Sequence, residues 1–198
     1  KFYYEDARQF LEKAVELDST FATAYLYLAL AYHMMEDAAT SSRNYAQAMR
    51  FSRNATEKEK LYIEASHAGL IERNPEKRSH ILRRLTQEYP MEKRFHMLLG
   101  SYYREMDRFT EAVQEIQQAL ELDPNFGNAM NELAYTYAAM GNYEQAIHYF
   151  ERYASVSPGD ANPWPGTQGT SHGVHTTGIA AGNVVTASFL GLTFPMMS

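Results

Sequence analysis

The sequence repeats itself with a period of 34 residues, and this repetition constrains the fold more than any other feature. When the segment from Lys93 is aligned with the segment from Gly127, similar residues fall at the same positions. The aligned pairs include Leu99 and Leu133, Tyr103 and Tyr137, Ala112 and Ala146, Ile116 and Phe150, and Pro124 and Pro158. A weaker copy occupies residues 59–92. Such a period is typical of chains in which each unit buries its apolar face against its neighbours.

Within each repeat, two stretches carry apolar residues at helical spacing, which predicts an antiparallel pair of helices. Small residues such as Gly100 allow the two helices of a pair to approach closely. Asn125 and Asn142 are predicted N-caps, and Gly141 is predicted to adopt a positive φ in the turn within a pair. The predicted helices span residues 3–17, 20–36, 43–54, 57–73, 76–88, 91–106, 109–122, 125–140 and 143–156, with a polar turn over 37–44.

The repeat resembles the tetratricopeptide repeat (TPR), in which aromatic, Leu, Gly, Tyr, Ala and Pro residues recur at fixed offsets. The resemblance covers about 160 of the 198 residues. It implies an all-α fold of helix pairs stacked in a right-handed superhelix, followed by an irregular C-terminal tail. We expect a TPR domain over 1–160, with units 1–21 (partial), 22–58, 59–92, 93–126 and 127–160, and a tail over 161–198 rich in Gly, Pro and Thr.

The resemblance also implies a function, because such arrays present a concave face to partner proteins. In the family, the first helix of each pair lines that face and binds peptide or helical segments. The positions that this implies here are Ile63, His67, Arg94, Met97, Ser101, Arg104, Asn128, Asn131, Glu132 and Tyr135. Asn side chains can pair with a peptide backbone, and Met97 and Tyr135 offer apolar contacts. The alternative for each position is an ordinary solvated helix residue. The Lys, Asn and Arg set that clamps a C-terminal carboxylate in some TPR proteins is not evident.

Composition narrows the classes of function. The net charge is −6, which disfavours binding to nucleic acid or to an anionic membrane. No cysteine is present, which excludes disulfides, thiolate metal sites and a Cys nucleophile. Taken with what the TPR resemblance implies, this leads us to predict a non-enzymatic scaffold without cofactor or metal, with protein or peptide partners, no membrane partner and a cytoplasmic location. We also expect the chain to be a fragment of a larger protein.

Composition changes sharply after residue 157. The 41 residues from Pro158 onward hold one charge, Asp160, and 7 of the 11 glycines. Within them, residues 168–191 resemble the active-site histidine block of subtilisin-like serine proteases, which implies that His172 corresponds to the general base. No nucleophile block follows, and Asp160 has the wrong sequence context, so His172 is only a remnant. The alternative function is therefore an inactive fragment of a TPR–subtilase fusion.

The end of the array carries one further prediction. A helical array normally finishes with a polar capping helix, and none is evident after residue 156. The apolar side of 143–156, formed by Ile147, Phe150 and Tyr153, would then be exposed unless the tail or another subunit covers it. The sequence therefore also predicts possible self-association through this helix.

Overall fold

Helices dominate the computed structural model, which describes residues 2–156, 186–189 and 192–195. Nine α-helices lie within these residues: α1 (Phe2–Leu17), α2 (Ala22–Met34), α3 (Ala38–Phe51), α4 (Glu57–Leu70), α5 (Pro75–Glu88), α6 (Lys93–Glu105), α7 (Phe109–Leu122), α8 (Gly127–Ala139) and α9 (Tyr143–Val156). Contacts divide the chain into an N-terminal unit, Lys1–Tyr89, and a C-terminal unit, Pro90–Ser198. The predicted domain division near residue 160 falls at the edge of the described helices and stays a prediction.

The N-terminal unit contains the pairs α2/α3 and α4/α5, with α1 packed against α2. Its core joins α2, α3 and α4 through side chains that are almost fully buried. These side chains are Ala22, Leu26, Ala29, Tyr45, Ala48 and Ile63. Alanine is frequent in this core, and its small side chain lets neighbouring helix backbones lie close together.

The beginning of α3 differs from the prediction. The sequence analysis placed residues 37–44 in a turn, whereas the helix begins at Ala38. Asp37 caps it, since its carboxylate accepts a hydrogen bond from the backbone N–H of Thr40 at 3.0 Å. Ser41 lies inside the helix and donates to the carbonyl of Ala29 at 2.8 Å. Small polar residues are therefore used here for a cap and a contact between helices, which composition alone does not reveal.

The C-terminal unit contains the pairs α6/α7 and α8/α9. Gly100 of α6 lies directly against α7, because a Cβ atom at this position would meet Ile116 Cγ1 at 2.4 Å and the Ala112 carbonyl oxygen at 3.1 Å. The predicted role of Gly100 in close helix approach is confirmed. A cluster of Ile116, Ala119, Leu120, Ala129, Met130, Leu133 and Tyr153 then joins α7, α8 and α9.

The turns inside the helix pairs share one backbone feature. Glu36, Arg73, Asp107 and Gly141 all adopt positive φ, at 66°, 51°, 56° and 76°. In three of these turns the residue that follows donates its backbone N–H to a tyrosine carbonyl five positions earlier. These donor and acceptor pairs are Asp37 and Tyr32, Arg108 and Tyr103, and Asn142 and Tyr137. This is the Schellman arrangement, which satisfies the last carbonyls of a helix.

The two predicted N-caps have different outcomes. Asn142 caps α9, because its Oδ1 accepts from the backbone N–H of Gln145 at 3.3 Å. Asn125 does not cap α8, which begins at Gly127. Instead, the carboxylate of Asp123 accepts from the backbone N–H of Asn125 at 3.0 Å. The turn is thus organised by an Asp two residues earlier, and Asn125 serves as a donor within it.

The structure corrects the prediction of an exposed apolar side on α9. Phe150 and Tyr153 are only 5% and 9% exposed, and Ile147 is half-buried. Phe150 packs against Ala134 and Ala146, while Tyr153 joins the cluster around Leu133. Because both rings point toward α8, the described helix gives no support for self-association through this side.

Eight residues of the predicted irregular tail are described, and they form strands. β1 (Thr186–Phe189) pairs in antiparallel orientation with β2 (Leu192–Pro195), with Thr186 opposite Pro195 and Phe189 opposite Leu192. The sequence analysis did not predict this hairpin. Two apolar stretches separated by Leu190 and Gly191 are the sequence signal that could have indicated it.

We expect Gly100→Ala to destabilise the C-terminal unit by about 1–3 kcal/mol, because the new Cβ atom meets a branched core side chain and a backbone oxygen. Gly69→Ala is the matched control, since the atom nearest its Cβ is Cδ of the flexible Arg78 side chain. Alanine is also the better helix former, so Gly69→Ala should be close to neutral. Urea unfolding measures both, and equal effects would contradict the packing argument.

The capping box of α4 leads to a prediction about pH. Thr56 donates its hydroxyl and its backbone N–H to Glu59 Oε2 at 2.7 and 2.9 Å, and it accepts from the Glu59 N–H at 3.3 Å. The Thr56 hydroxyl, and then its N–H, lower the pKa of Glu59 below the ordinary value of 4.5, while burial opposes this shift. A lowered folded-state pKa stabilises the fold above the unfolded value, and this contribution is lost as pH falls through the folded value.

Thr56→Ala should therefore reduce the free energy of unfolding by about 1 kcal/mol at neutral pH and by less below about pH 4. Thr110→Ala on α7 is the control, because Thr110 is exposed and occupies the first turn of a helix without serving as its cap. Urea unfolding over the acid range tests this, and a difference that does not depend on pH would contradict it.

Candidate functional site

Side chains from α6 and α8, the first helices of the two pairs in the C-terminal unit, meet at one surface. We name this surface the α6/α8 face and define it by Arg94, Met97, Arg104, Asn128, Asn131, Glu132 and Tyr135. On α6 these residues are three and seven positions apart, and on α8 they are one, three or four positions apart, spacings that place them along one side of each helix.

An ion pair connects the two helices of this face. Arg104 of α6 donates through Nε and a terminal nitrogen to Glu132 Oε2 of α8 at 3.2 and 3.0 Å. The Arg104 side chain is 30% exposed and that of Glu132 is 24% exposed. Both charges therefore remain within reach of solvent, and of any ligand, while they hold α6 against α8.

Tyr135 lies beside this ion pair. The Arg104 guanidinium is 6.0 Å from the centre of the Tyr135 ring, and the ring meets Phe150 edge-on at 5.3 Å. Burial raises the pKa of the Tyr135 hydroxyl; the nearby Glu132 carboxylate adds to this, and Arg104 opposes it. Tyr135 is half-buried, so it presents part of an oriented aromatic ring at the surface.

The amides of α8 contribute polar groups. Asn128 is exposed in the first turn of the helix. Asn131 is half-buried, and its Oδ1 atom is buried without a hydrogen-bond donor among the described residues. A buried acceptor of this kind gains free energy when a donor reaches it.

The remaining predicted residues of α6 differ in exposure. Arg94 is exposed in the first turn, and Met97 is half-buried against the cluster that contains Ile116 and Leu133. Ser101 is only 8% exposed, so the structure places it inside the helix packing and not at the contact surface that the sequence analysis predicted.

In the N-terminal unit, Ile63 and His67 do not form a comparable surface. Ile63 is 0% exposed and belongs to the core with Leu26 and Ala29, which corrects its predicted place on a partner-facing surface. His67 is half-buried, with Nδ1 3.1 Å from Glu72 Oε1 and its ring edge-on to Tyr45 at 6.3 Å. The hydrogen bond from Lys77, followed by that with His67, lowers the pKa of Glu72.

Sequence reasoning missed the contribution of α2 to the corresponding side of the N-terminal unit. Tyr27 packs against Tyr62 with ring centres 6.4 Å apart, and Thr23 donates to Glu59 at 3.2 Å. These positions align with α4 at an offset of 37 residues instead of 34, so the fixed period did not select them. An alignment that allowed for the longer connection would have found them.

The described residues form neither a metal site nor a membrane-spanning helix. No group of three or more metal-ligating side chains lies within residues 2–156 or the hairpin. Across the same residues, no helix has the length and hydrophobicity needed to cross a bilayer. His172 and Asp160 lie outside the described residues.

Part of the chain matches a known family. The described helices form the antiparallel pairs of an all-α helical repeat, and residues 103–164 match the sequence model of the tetratricopeptide repeat family. This stretch includes Tyr135 and most of the α6/α8 face. Its last eight residues lie outside the described part of the chain. Comparison with curated protein sequences finds no significant match.

Two solved structures illustrate the fold. One is PilW, a widely conserved type IV pilus biogenesis factor, with a TM-score of 0.56 and 20% identity over 78% of this chain and 70% of that chain. The other is the TPR2B domain of yeast Sti1 in a complex with pHsp70, with a TM-score of 0.55 and 15% identity over 63% and 95%. These identities establish similarity of fold alone. The resemblance of residues 168–191 to subtilisin-like proteases stays a prediction.

The link between α6 and α8 can be measured with a double-mutant cycle on Arg104→Gln and Glu132→Gln. We expect a coupling free energy of about 0.5–1 kcal/mol, because the pair is partly exposed and uses two nitrogens of one guanidinium. The control pair is Arg84 and Glu88, which lie four residues apart on α5 with both side chains more exposed, and should couple less. Urea unfolding of the variants gives both values, and zero coupling for Arg104 and Glu132 would contradict the geometry.

Proposed function

We propose that this protein is a non-enzymatic scaffold that binds an extended or helical segment of a partner protein on the α6/α8 face. The observation that carries the proposal is the buried Oδ1 atom of Asn131, which lacks a donor among the described residues. A peptide backbone N–H can donate to this atom when the half-buried Asn131 side chain turns toward the surface. The half-buried rings and chains of Tyr135 and Met97 supply apolar contact beside it.

Two further facts support this proposal. The TPR family match covers α8, from which Asn131 and Tyr135 project. The TPR2B domain of yeast Sti1, which shares the fold, was solved in a complex with pHsp70, so a chain of this architecture can hold a protein partner. We also propose a cytoplasmic location.

The test is selection of binding peptides from a random library, followed by fluorescence polarisation with wild-type protein and variants. Asn131→Ala should weaken the selected peptides by about 5- to 30-fold, because truncating a contact at the centre of an interface removes about 1–2 kcal/mol. The same change should barely affect folding, since Oδ1 accepts no hydrogen bond from the described residues. Thermal unfolding verifies that condition.

Gln114→Ala provides the matched control. Gln114 is an exposed amide on α7, the second helix of its pair, and should leave peptide affinity unchanged. If Gln114→Ala weakens binding while Asn131→Ala does not, the ligand binds to the other side of the unit and the proposal is wrong.

A further inference from the structure

The charges of this chain are distributed unevenly between its two units. Residues 1–89 contain 13 cations and 13 carboxylates, whereas residues 90–198 contain 5 cations and 11 carboxylates. The whole net charge of −6 therefore belongs to the C-terminal unit. An acidic unit of this kind attracts cationic ligands overall, so the exact placement of its few cations decides what each surface can bind.

Within the C-terminal unit, the charges divide between the first and second helices of the pairs. Helices α6 and α8 carry three cations and two carboxylates, a net charge of +1; the residues are Lys93, Arg94, Arg104, Glu105 and Glu132. Helices α7 and α9 carry five carboxylates and one cation, a net charge of −4; the residues are Glu111, Glu115, Glu121, Glu144, Glu151 and Arg152. The net charge of the first helices thus differs from that of the second helices by five.

The cations of α6 stand at both ends of the α6/α8 face. Arg94 is exposed in the first turn, and Arg104 is 30% exposed near the last turn. Ten residues separate them, which is about 15 Å along a helix at 1.5 Å per residue. An extended peptide advances about 3.3 Å per residue, so carboxylates about four or five residues apart span the same distance. Lys93, the third cation, pairs with Asp123, and Arg94 also interacts within the chain, so a ligand carboxylate would contact Arg94 beside its existing partner.

Glu132 is the only carboxylate of α8, and it pairs with Arg104. Both nitrogens that Arg104 uses reach the same oxygen, Oε2, so the remaining guanidinium nitrogen is not used in this pair. Arg104 can therefore contact a ligand carboxylate while it stays paired with Glu132. The same geometry makes Glu132 repel that ligand, because its charge lies within the same few ångströms.

We propose that the ligand of the α6/α8 face is an acidic segment whose side-chain carboxylates contact Arg94 and Arg104. This inference rests on the proposed function and adds the charge of the partner. The carboxylates of α7 and α9 attract a basic segment and repel an acidic one. The charge distribution therefore directs an acidic ligand to α6 and α8 and away from α7 and α9.

The experiment uses fluorescein-labelled, C-terminally amidated peptides of about 12 residues, which is long enough to carry two or three Glu residues at the required spacing. One carries Glu at every fourth or fifth position in a Ser/Gly background, and two others carry Gln or Lys at the same positions. Amidation removes the terminal carboxylate, so only side-chain charge differs among the probes. At low salt the Glu peptide should bind about fivefold or more tightly than the Gln peptide, and raising the salt to about 0.3 M should reduce this ratio.

Removing a cation and removing a carboxylate should change the affinity for the Glu peptide in opposite directions, which separates a charge effect from a structural one. Arg94→Gln should weaken the Glu peptide by about two- to fivefold, and Glu132→Gln should strengthen it by a similar factor. A merely structural role for Glu132 would lower affinity instead. Arg108→Gln, at the turn between α6 and α7, and Glu144→Gln, on α9, are the matched controls and should leave the affinity unchanged.

The outcomes distinguish this inference from the proposed function. If the Gln or Lys peptide binds as tightly as the Glu peptide, or if Glu132→Gln weakens the Glu peptide, the acidic ligand is ruled out. If, in addition, library-selected peptides still lose affinity with Asn131→Ala, the proposed function stands without the charge preference. If Asn131→Ala has no effect on any peptide, the proposed function fails and this inference fails with it.

Discussion

Close contact between the two helices of each pair is the interaction on which the rest of the structure depends. At Gly100 the absence of a side chain lets α6 lie against Ile116 and the backbone of Ala112. Ala112 and Ala146, one period apart, are both 0% exposed. Because a close-packed interior tolerates little change in volume, these small residues fix the separation of the helices and therefore the positions of everything that projects from them.

The α6/α8 face follows from this packing. With α6 held on α7, and α8 held on α7 and α9 through the cluster around Leu133, the outward sides of α6 and α8 adjoin. Arg104 and Glu132 then meet, although 28 residues separate them in the sequence. A buried framework of small and aliphatic residues thus orients a surface of polar and aromatic ones. The buried residues determine the fold, and the polar and aromatic residues at the surface form the proposed binding site.

The sequence was sufficient for the features that recur with the period. The repeat predicted the helices, Gly100 as a contact residue, and Gly141 and Asn142 in the last turn, because each depends on local geometry or on one neighbouring helix. It was insufficient where a residue type has two uses. The small polar residues after Asp37 suit a turn or a helix start, and only the contact of Ser41 with Ala29 decides between them. For Ile63 and Ser101, the family pattern named helix positions, whereas their burial depends on the side chains of adjacent helices.

The left-handed turns have a consequence for engineering. Among four equivalent turns, only the last uses glycine, while Glu36, Arg73 and Asp107 adopt a conformation that disfavours residues with a Cβ atom by about 1–2 kcal/mol. Substitution by glycine relieves this strain, but it also raises the conformational entropy of the unfolded chain, which offsets part of the gain in stability. Even so, these three positions are exposed, so glycine there would disturb no buried side chain and could increase stability. Substituting glycine at these turns offers a route to a more stable scaffold without replacing any residue that defines the α6/α8 face.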